Sequence, residues 1–134
     1  MTSTTESSPF ILPIRVYYED TDAGGIVYHS TYLNFMERAR TEWLLSRGVN
    51  LHTYADTEKK MFVVRNISIN YHKPAVLCDD LYVATTIAKR TKTRVHFEQI
   101  IYRGEERLTS GMVEIVCLDT DTRKPLPLPG IFTN

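Results

Sequence analysis

The sequence is short of cysteine, of net charge and of long apolar runs, and each shortage removes a class of protein. Its two cysteines, Cys78 and Cys117, show no metal-ligand spacing and each lies in or beside a strand-like run. Free, mostly buried thiols are therefore expected rather than a disulfide, which suits a reducing compartment. Sixteen basic and sixteen acidic residues cancel, leaving no global field to attract nucleic acid or an anionic membrane, so any anion binding must be local. No stretch approaches the ~18 apolar residues of a membrane-spanning helix. The opening MTSTTESSP carries neither Lys nor Arg nor an apolar core, so no secretory signal is expected and the expected compartment is the cytoplasm. Two nucleotide and hydrolase signatures are missing as well. GGIVYH lacks the third glycine and the βαβ setting of a dinucleotide site, and no G-x-S-x-G supplies a serine nucleophile.

What is present reads as one domain over residues 10–134, preceded by a disordered tail of Ser, Thr and Glu at 1–9. A first strand is expected over 11–19, where Ile14, Val16 and Tyr18 alternate with Arg15, Tyr17 and Glu19. Gly24 and Gly25 end that period and permit a close approach by another backbone or a ligand. From Tyr32 the apolar residues fall at Tyr32, Phe35, Met36, Ala39 and Trp43, the spacing of a helix face, and with Leu33 and Leu44 they cover roughly half the circumference. This helix should run from 29 or 30 to 47, with Ser30 or Thr31 as N-cap and Gly48 as its stop. Residues 50–60 are polar and give at most a short helix. Four more strands follow. The second starts at Met61 and sets Val63, Arg65, Ile67, Ile69 and Tyr71 on one face; the third carries Leu81, Val83, Thr85 and Ile87; the fourth Val95, Phe97 and Ile101; the fifth Val113, Ile115 and Cys117. Gly104 marks a hairpin turn, and the proline-rich end from 125 should be extended or loose. Short turns imply antiparallel pairing. The expected fold class is α+β, one curved antiparallel sheet of about five strands around one long helix.

Ionisable groups crowd into one turn: Glu19, Asp20, Asp22, Tyr28 and His29. Carboxylates just before a helix start lie near unpaired backbone N–H groups, which can also hold a developing oxyanion. The same acids also serve as plain turn formers and caps. A metal reading of Asp20, Asp22 and His29 lacks a second acidic cluster, and an aspartyl-phosphate reading of D-x-D lacks the parallel sheet that such chemistry uses. His52, His72 and His96 are isolated and read as surface or hydrogen-bonded residues. Arg40 projects inside the apolar arc, so it should pair with a carboxylate, Glu37 among the candidates, or reach the surface along its stem. The turn KRTKTR at 89–94 is either a solvated loop or a phosphate site.

The run RVYYEDTDAGGIVYHSTYLNFMERARTEWL, supported by FVVRNISINYHKPA and GMVEIVCLDTDTRKPLPLP, resembles acyl-CoA thioesterases of the hydroxybenzoyl-CoA thioesterase superfamily. It is most similar to the YbgC type encoded beside the Tol-Pal system. The resemblance covers nearly everything after the tail, and Y-x-D-T-D-x-x-G-I-V-Y-H is its specific part. It implies a hotdog fold assembled as homodimers and commonly homotetramers, and hydrolysis of an acyl-CoA substrate without metal or other cofactor. Asp22 matches the catalytic carboxylate, Tyr18 and His29 match assisting polar residues, and the backbone N–H near His29 matches the group that polarises the thioester carbonyl. Gly25, Ile26, Val27 and Tyr28 fall on substrate-binding positions, and Arg90 and Lys92 lie where relatives hold CoA phosphates. The alternative is a non-catalytic acyl-binding or scaffolding protein that works through partners such as acyl carrier protein.

Overall fold

The strands form where the alternation places them but assemble out of chain order. The computed structural model describes residues 8–133, so the first seven residues of the expected tail lie outside the described residues. Five strands, β1 (Phe10–Arg15), β2 (Lys60–Tyr71), β3 (Asp80–Arg90), β4 (Arg94–Arg103) and β5 (Glu106–Asp119), pair antiparallel in the order β1-β3-β4-β5-β2. Tight turns make β3, β4 and β5 neighbours. Two helices, α1 (Thr31–Ser46) and α2 (Leu51–Glu58), separate β1 from β2 and leave those strands at opposite edges. With α1 packed on one face of the curved sheet, this is the α+β hotdog that the resemblance implies.

The face of α1 picked out by spacing is the face that packs: Tyr32, Phe35, Met36, Ala39, Trp43 and Leu44 are buried. Opposite stand Leu81 and Val83 of β3, Val95, Phe97 and Ile101 of β4, and Val113, Ile115 and Cys117 of β5, none more than 6% exposed. Burying each large apolar side chain is worth ~1.5–3 kcal/mol, more than enough to override the modest helix propensity of Tyr, Phe and Trp. Gly111 of β5 sits under the helix, where a Cβ would stand 3.0 Å from Met36 Cε. Its missing side chain lets α1 approach the sheet closely.

Several local expectations need correction. β1 stops at Arg15 rather than 19; Ile14 and Val16 are buried as the alternation requires, but residues Tyr18–Asp20 form a 3-10 turn and Tyr18 is 81% exposed. In β2 a bulge between Val64 and Asn66 shifts the phase. Val64 and Ile67 therefore both oppose inward residues of β5, while Arg65 turns outward to an ion pair with Glu114 at 3.0 Å. Arg40 finds no carboxylate within ion-pair distance among the described residues. It donates instead to Gln99 Oε1 at 2.9 Å, and Gln99 Nε2 donates to Met36 O and Thr85 Oγ1. Burial pulls the Arg40 pKa below its ordinary value, with the Glu37 charge opposing. Ser30 occupies the N-cap of α1 without a side-chain cap bond, while Gly48, at φ +84, stops the helix as expected. Both cysteines are free, but only Cys117 is buried.

The proline-rich end is not loose. Leu126 N–H donates to Cys117 O at 2.9 Å and Leu128 N–H to Lys92 O at 2.8 Å, and the 3-10 turn Gly130–Thr133 delivers Phe132, 1% exposed, to the core. Its ring lies 5.3 Å from Trp43 and 5.6 Å from Phe62.

Candidate active site

The acidic turn grows out of the end of β1. Val16 continues the pairing beyond the strand, its N–H donating to Asp79 O and its carbonyl accepting from Cys78 N–H, both at 3.0 Å. Asp20 then folds the chain back. Its Oδ2 accepts the Tyr17 N–H at 2.8 Å, its carbonyl accepts the Tyr28 N–H at 3.0 Å, and the residue is 6% exposed. Thr21 and Val27 form the next bridge, and Asp22 N–H donates to Ile26 O at 2.9 Å. The turn is thus a short ladder closed around Gly24 and Gly25, the latter at φ +82.

Asp22 and Asp20, equivalent in a D-x-D pattern, are thereby separated. Asp22 is exposed, its Oδ1 accepting the Gly24 N–H at 2.8 Å, and among the described residues its Oδ2 has no hydrogen-bond partner. A Cβ at Gly24 would stand 3.3 Å from that Oδ1. Tyr28 and His29 are exposed with ring centroids 4.4 Å apart. The His29 carbonyl accepts Tyr71 OH from the end of β2 at 2.8 Å, while among the described residues the His29 N–H donates to nothing. That N–H belongs to the residue just before the N-cap Ser30, which makes no side-chain cap bond, and the helix dipole adds positive potential there.

The other expected site residues divide. Gly25 and Ile26 are exposed on the turn, but Val27 is 3% exposed, with its side chain in the core and its N–H bound to Ala75 O at 2.9 Å. Val27 therefore anchors the turn. Tyr18 projects into solvent, and among the described residues only its carbonyl is engaged, by Thr21 N–H and Oγ1–H. No hydrogen bond joins the Tyr18, Asp22 and His29 side chains among the described residues. Arg90 and Lys92 are exposed at the far end of β3: that strand begins beside Arg15 and runs 11 residues, which sets the basic turn roughly 30 Å from the acidic one. A single chain does not bring them together.

The support behind the turn comes from residues 75–77, distant in sequence. Val27 N–H reaches Ala75 O, Ile26 bridges Val76, Leu77 N–H donates to Gly25 O at 3.3 Å, and Ala75 N–H donates to the buried Tyr32 OH at 3.0 Å. Burial pushes the Tyr32 phenol above its ordinary pKa, so it stays protonated. Neither Ala75 nor Val76 carries a signal of its own. The metal reading finds no formed cluster, since among the described residues no three His, Cys, Asp or Glu side chains converge. The lone histidines are hydrogen-bonded or exposed: His72 Nε2 is 3.0 Å from Ser110 Oγ, His96 Nε2 is 3.2 Å from Glu114, and His52 lies at the surface.

Known proteins share this architecture and much of the sequence. The thioesterase superfamily model matches residues 24–110. The acyl-CoA thioesterase YbgC of Haemophilus influenzae is 41% identical over 120 residues, covering 90% of this chain and 88% of that protein. The acyl-CoA thioester hydrolase YbgC of Escherichia coli O6:H1 is 43% identical over 121 residues, 90% of each. A probable thioesterase from Bartonella henselae superposes with a TM-score of 0.84 at 39% identity, over 89% of this chain and 98% of that one. Sequence and architecture agree along almost the whole length, and the chain belongs to the thioesterase superfamily.

Proposed function

We propose that the chain hydrolyses acyl-CoA thioesters to a free carboxylic acid and CoA, with Asp22 as the acting carboxylate. One observation carries the reading: of two neighbouring acids, Asp20 is buried and committed to the Tyr17 N–H, while Asp22 is exposed and, among the described residues, keeps one oxygen unpaired. Sparse machinery suits a thioester. The departing thiol has a pKa of ~8.5 by analogy with cysteine, so the thiolate leaves without a strong general acid. Asp22 either attacks the carbonyl carbon, expelling thiolate and forming a mixed anhydride that water then cleaves, or takes a proton from the attacking water. In both routes the His29 N–H receives the oxyanion. Gly25, Ile26 and Tyr28 line the reacting group, and Tyr18 and His29 assist from the rim.

The reading includes assembly into a homodimer or homotetramer. Asp22 lies on an open surface, and the inward face of the edge strand β2 leaves Val64 42%, Ile67 37% and Tyr71 46% exposed. An open sheet edge of this kind calls for a covering partner. Arg90 and Lys92 then hold CoA phosphates at a site completed between subunits.

The test is hydrolysis of straight-chain and aromatic acyl-CoAs by the wild type and by Asp22→Asn. The variant should lose ~100-fold or more in kcat with its melting temperature retained, whereas Asp20→Asn should lose stability. A folded Asp22→Asn with wild-type turnover would remove Asp22 as the acting carboxylate, and a wild type inactive on every thioester would move the chain to the acyl-binding reading, with acyl carrier protein as the partner to try. Light scattering that found a fully active 15.5 kDa monomer would remove the shared site.

A further inference from the structure

The turn that carries Asp22 has little to hold it from within: residues 22–26 are all exposed. It leans on the connection between β2 and β3, residues 75–79, and that connection is itself irregular. Cys78 adopts φ +73 without being glycine, a left-handed conformation that persists only where neighbours impose it. Asp79 imposes it. Its Oδ2 accepts the Val76 N–H at 2.9 Å and, from the end of β4, Arg103 Nη1–H at 2.6 Å.

We propose that Arg103 is a positioning residue for the Asp22 carboxylate, acting through Asp79, Val76 and Ile26; this rests on the reading of Asp22 given above. The links are continuous. Arg103 donates to Asp79, Asp79 accepts from Val76, Val76 bridges Ile26, and Ile26 O receives the Asp22 N–H at 2.9 Å. Arg103 is fixed from behind by Glu106 Oε1, which accepts from Nε at 3.2 Å and Nη2 at 2.9 Å, while Lys73 holds the other Glu106 oxygen at 2.8 Å. Its Nη1 also reaches Pro74 O at 3.4 Å. A planar guanidinium can serve Asp79 and Glu106 at once, and a lysine ammonium can do so only in part. Asp79 and Arg103 are only partly exposed, with side chains 17% and 32% accessible, so water screens this contact less than it screens a surface pair. Arg103 touches neither substrate nor reacting atoms.

The experiment measures kcat, KM and thermal unfolding for Arg103→Met, Arg103→Lys and Asp79→Asn in the full chain, each also in the Asp22→Asn background. Misplacing a carboxylate by a fraction of an ångström weakens the transition state more than substrate binding. Arg103→Met should therefore lose ~10-fold in kcat with KM within ~2-fold, and Arg103→Lys should recover part of that loss. In the Asp22→Asn background, Arg103→Met should change the residual rate hardly at all, because the group it positions is gone. A folded Arg103→Met with unchanged kcat would overturn the proposal, as would a loss that persists undiminished in the Asp22→Asn background. Should Arg103→Met fail to fold, Asp79→Asn, which keeps an acceptor for Val76, carries the same test with an expected loss of ~3-fold, and unchanged kcat overturns the proposal. Wild type inactive on every thioester, or Asp22→Asn fully active, would instead refute the reading of Asp22.

Discussion

The two ends of α1 are built on opposite plans. At its N-terminal end Tyr18, Asp22, Tyr28 and His29 are exposed, and the turn that carries them is held by backbone bonds to residues 75–77 and by the Arg103 ion pairs behind Asp79. At its C-terminal end Trp43 packs against Phe97 and Phe132, and Phe62 joins Phe132 to Tyr54. Between them lies the buried polar set of Arg40, Gln99 and Thr85. Exposed groups cannot be held by their own burial, so directional bonds and the buried Val27 hold the turn that carries them, while ring-on-ring packing gathers at the other end.

The strongest way to break this comparison is Phe132→Ala. Removing a 1%-exposed ring that touches Trp43, Phe62 and Phe97 should cost ~3–5 kcal/mol of stability, a large share of the ~5–15 kcal/mol typical of a domain. Denaturant titration reads that loss. Turnover per folded molecule should stay near wild type, and a parallel fall in kcat would show that the ends are coupled through α1.

A smaller effect tests the basic turn, which is far from the acidic turn of its own chain. Changing Arg90 and Lys92 together to Ala should raise KM by ~10-fold at low salt, about 1.4 kcal/mol, and leave kcat nearly alone, because charges remote from the thioester act equally on ground and transition states. Added salt should shrink the difference. Wild type and variant should hydrolyse a truncated thioester without the nucleotide equally; equal impairment on both substrates would assign the turn to the fold.

The smallest effect is a pH dependence of stability at the N-terminal end of α1. Hydrogen bonds from Lys73 and Arg103 hold the Glu106 carboxyl below its ordinary pKa. A folded pKa below the unfolded one means that the stabilisation is present above the unfolded value, ~4.3, and is lost as pH falls through the lower folded value. Melting curves of wild type and Glu106→Gln should therefore differ at neutral pH and draw together as pH falls below the unfolded value of ~4.3 and through the lower folded one. A gap that stayed constant into acid would assign the loss to packing rather than charge.

Period and face were legible in the residues themselves. The spacing of Tyr32, Phe35, Met36, Ala39 and Trp43 marks the buried side of α1, and the alternation of Leu81, Val83 and Thr85 marks the buried side of β3. Such patterns survive in sequence because they arise between residues a few positions apart. The motif around Asp22, through its family resemblance, marked the acidic turn as well. What tertiary structure alone decided was non-local. The order β1-β3-β4-β5-β2, the phase shift at Arg65, the docking of Phe132 and the anchoring of residues 75–79 by Arg103 each join segments far apart in the chain. The difference between Asp20 and Asp22 belongs with these. Both are aspartates in one turn, but only the folded ladder buries one against the Tyr17 N–H and leaves the other exposed, because burial and hydrogen-bond partners are properties of the assembled chain.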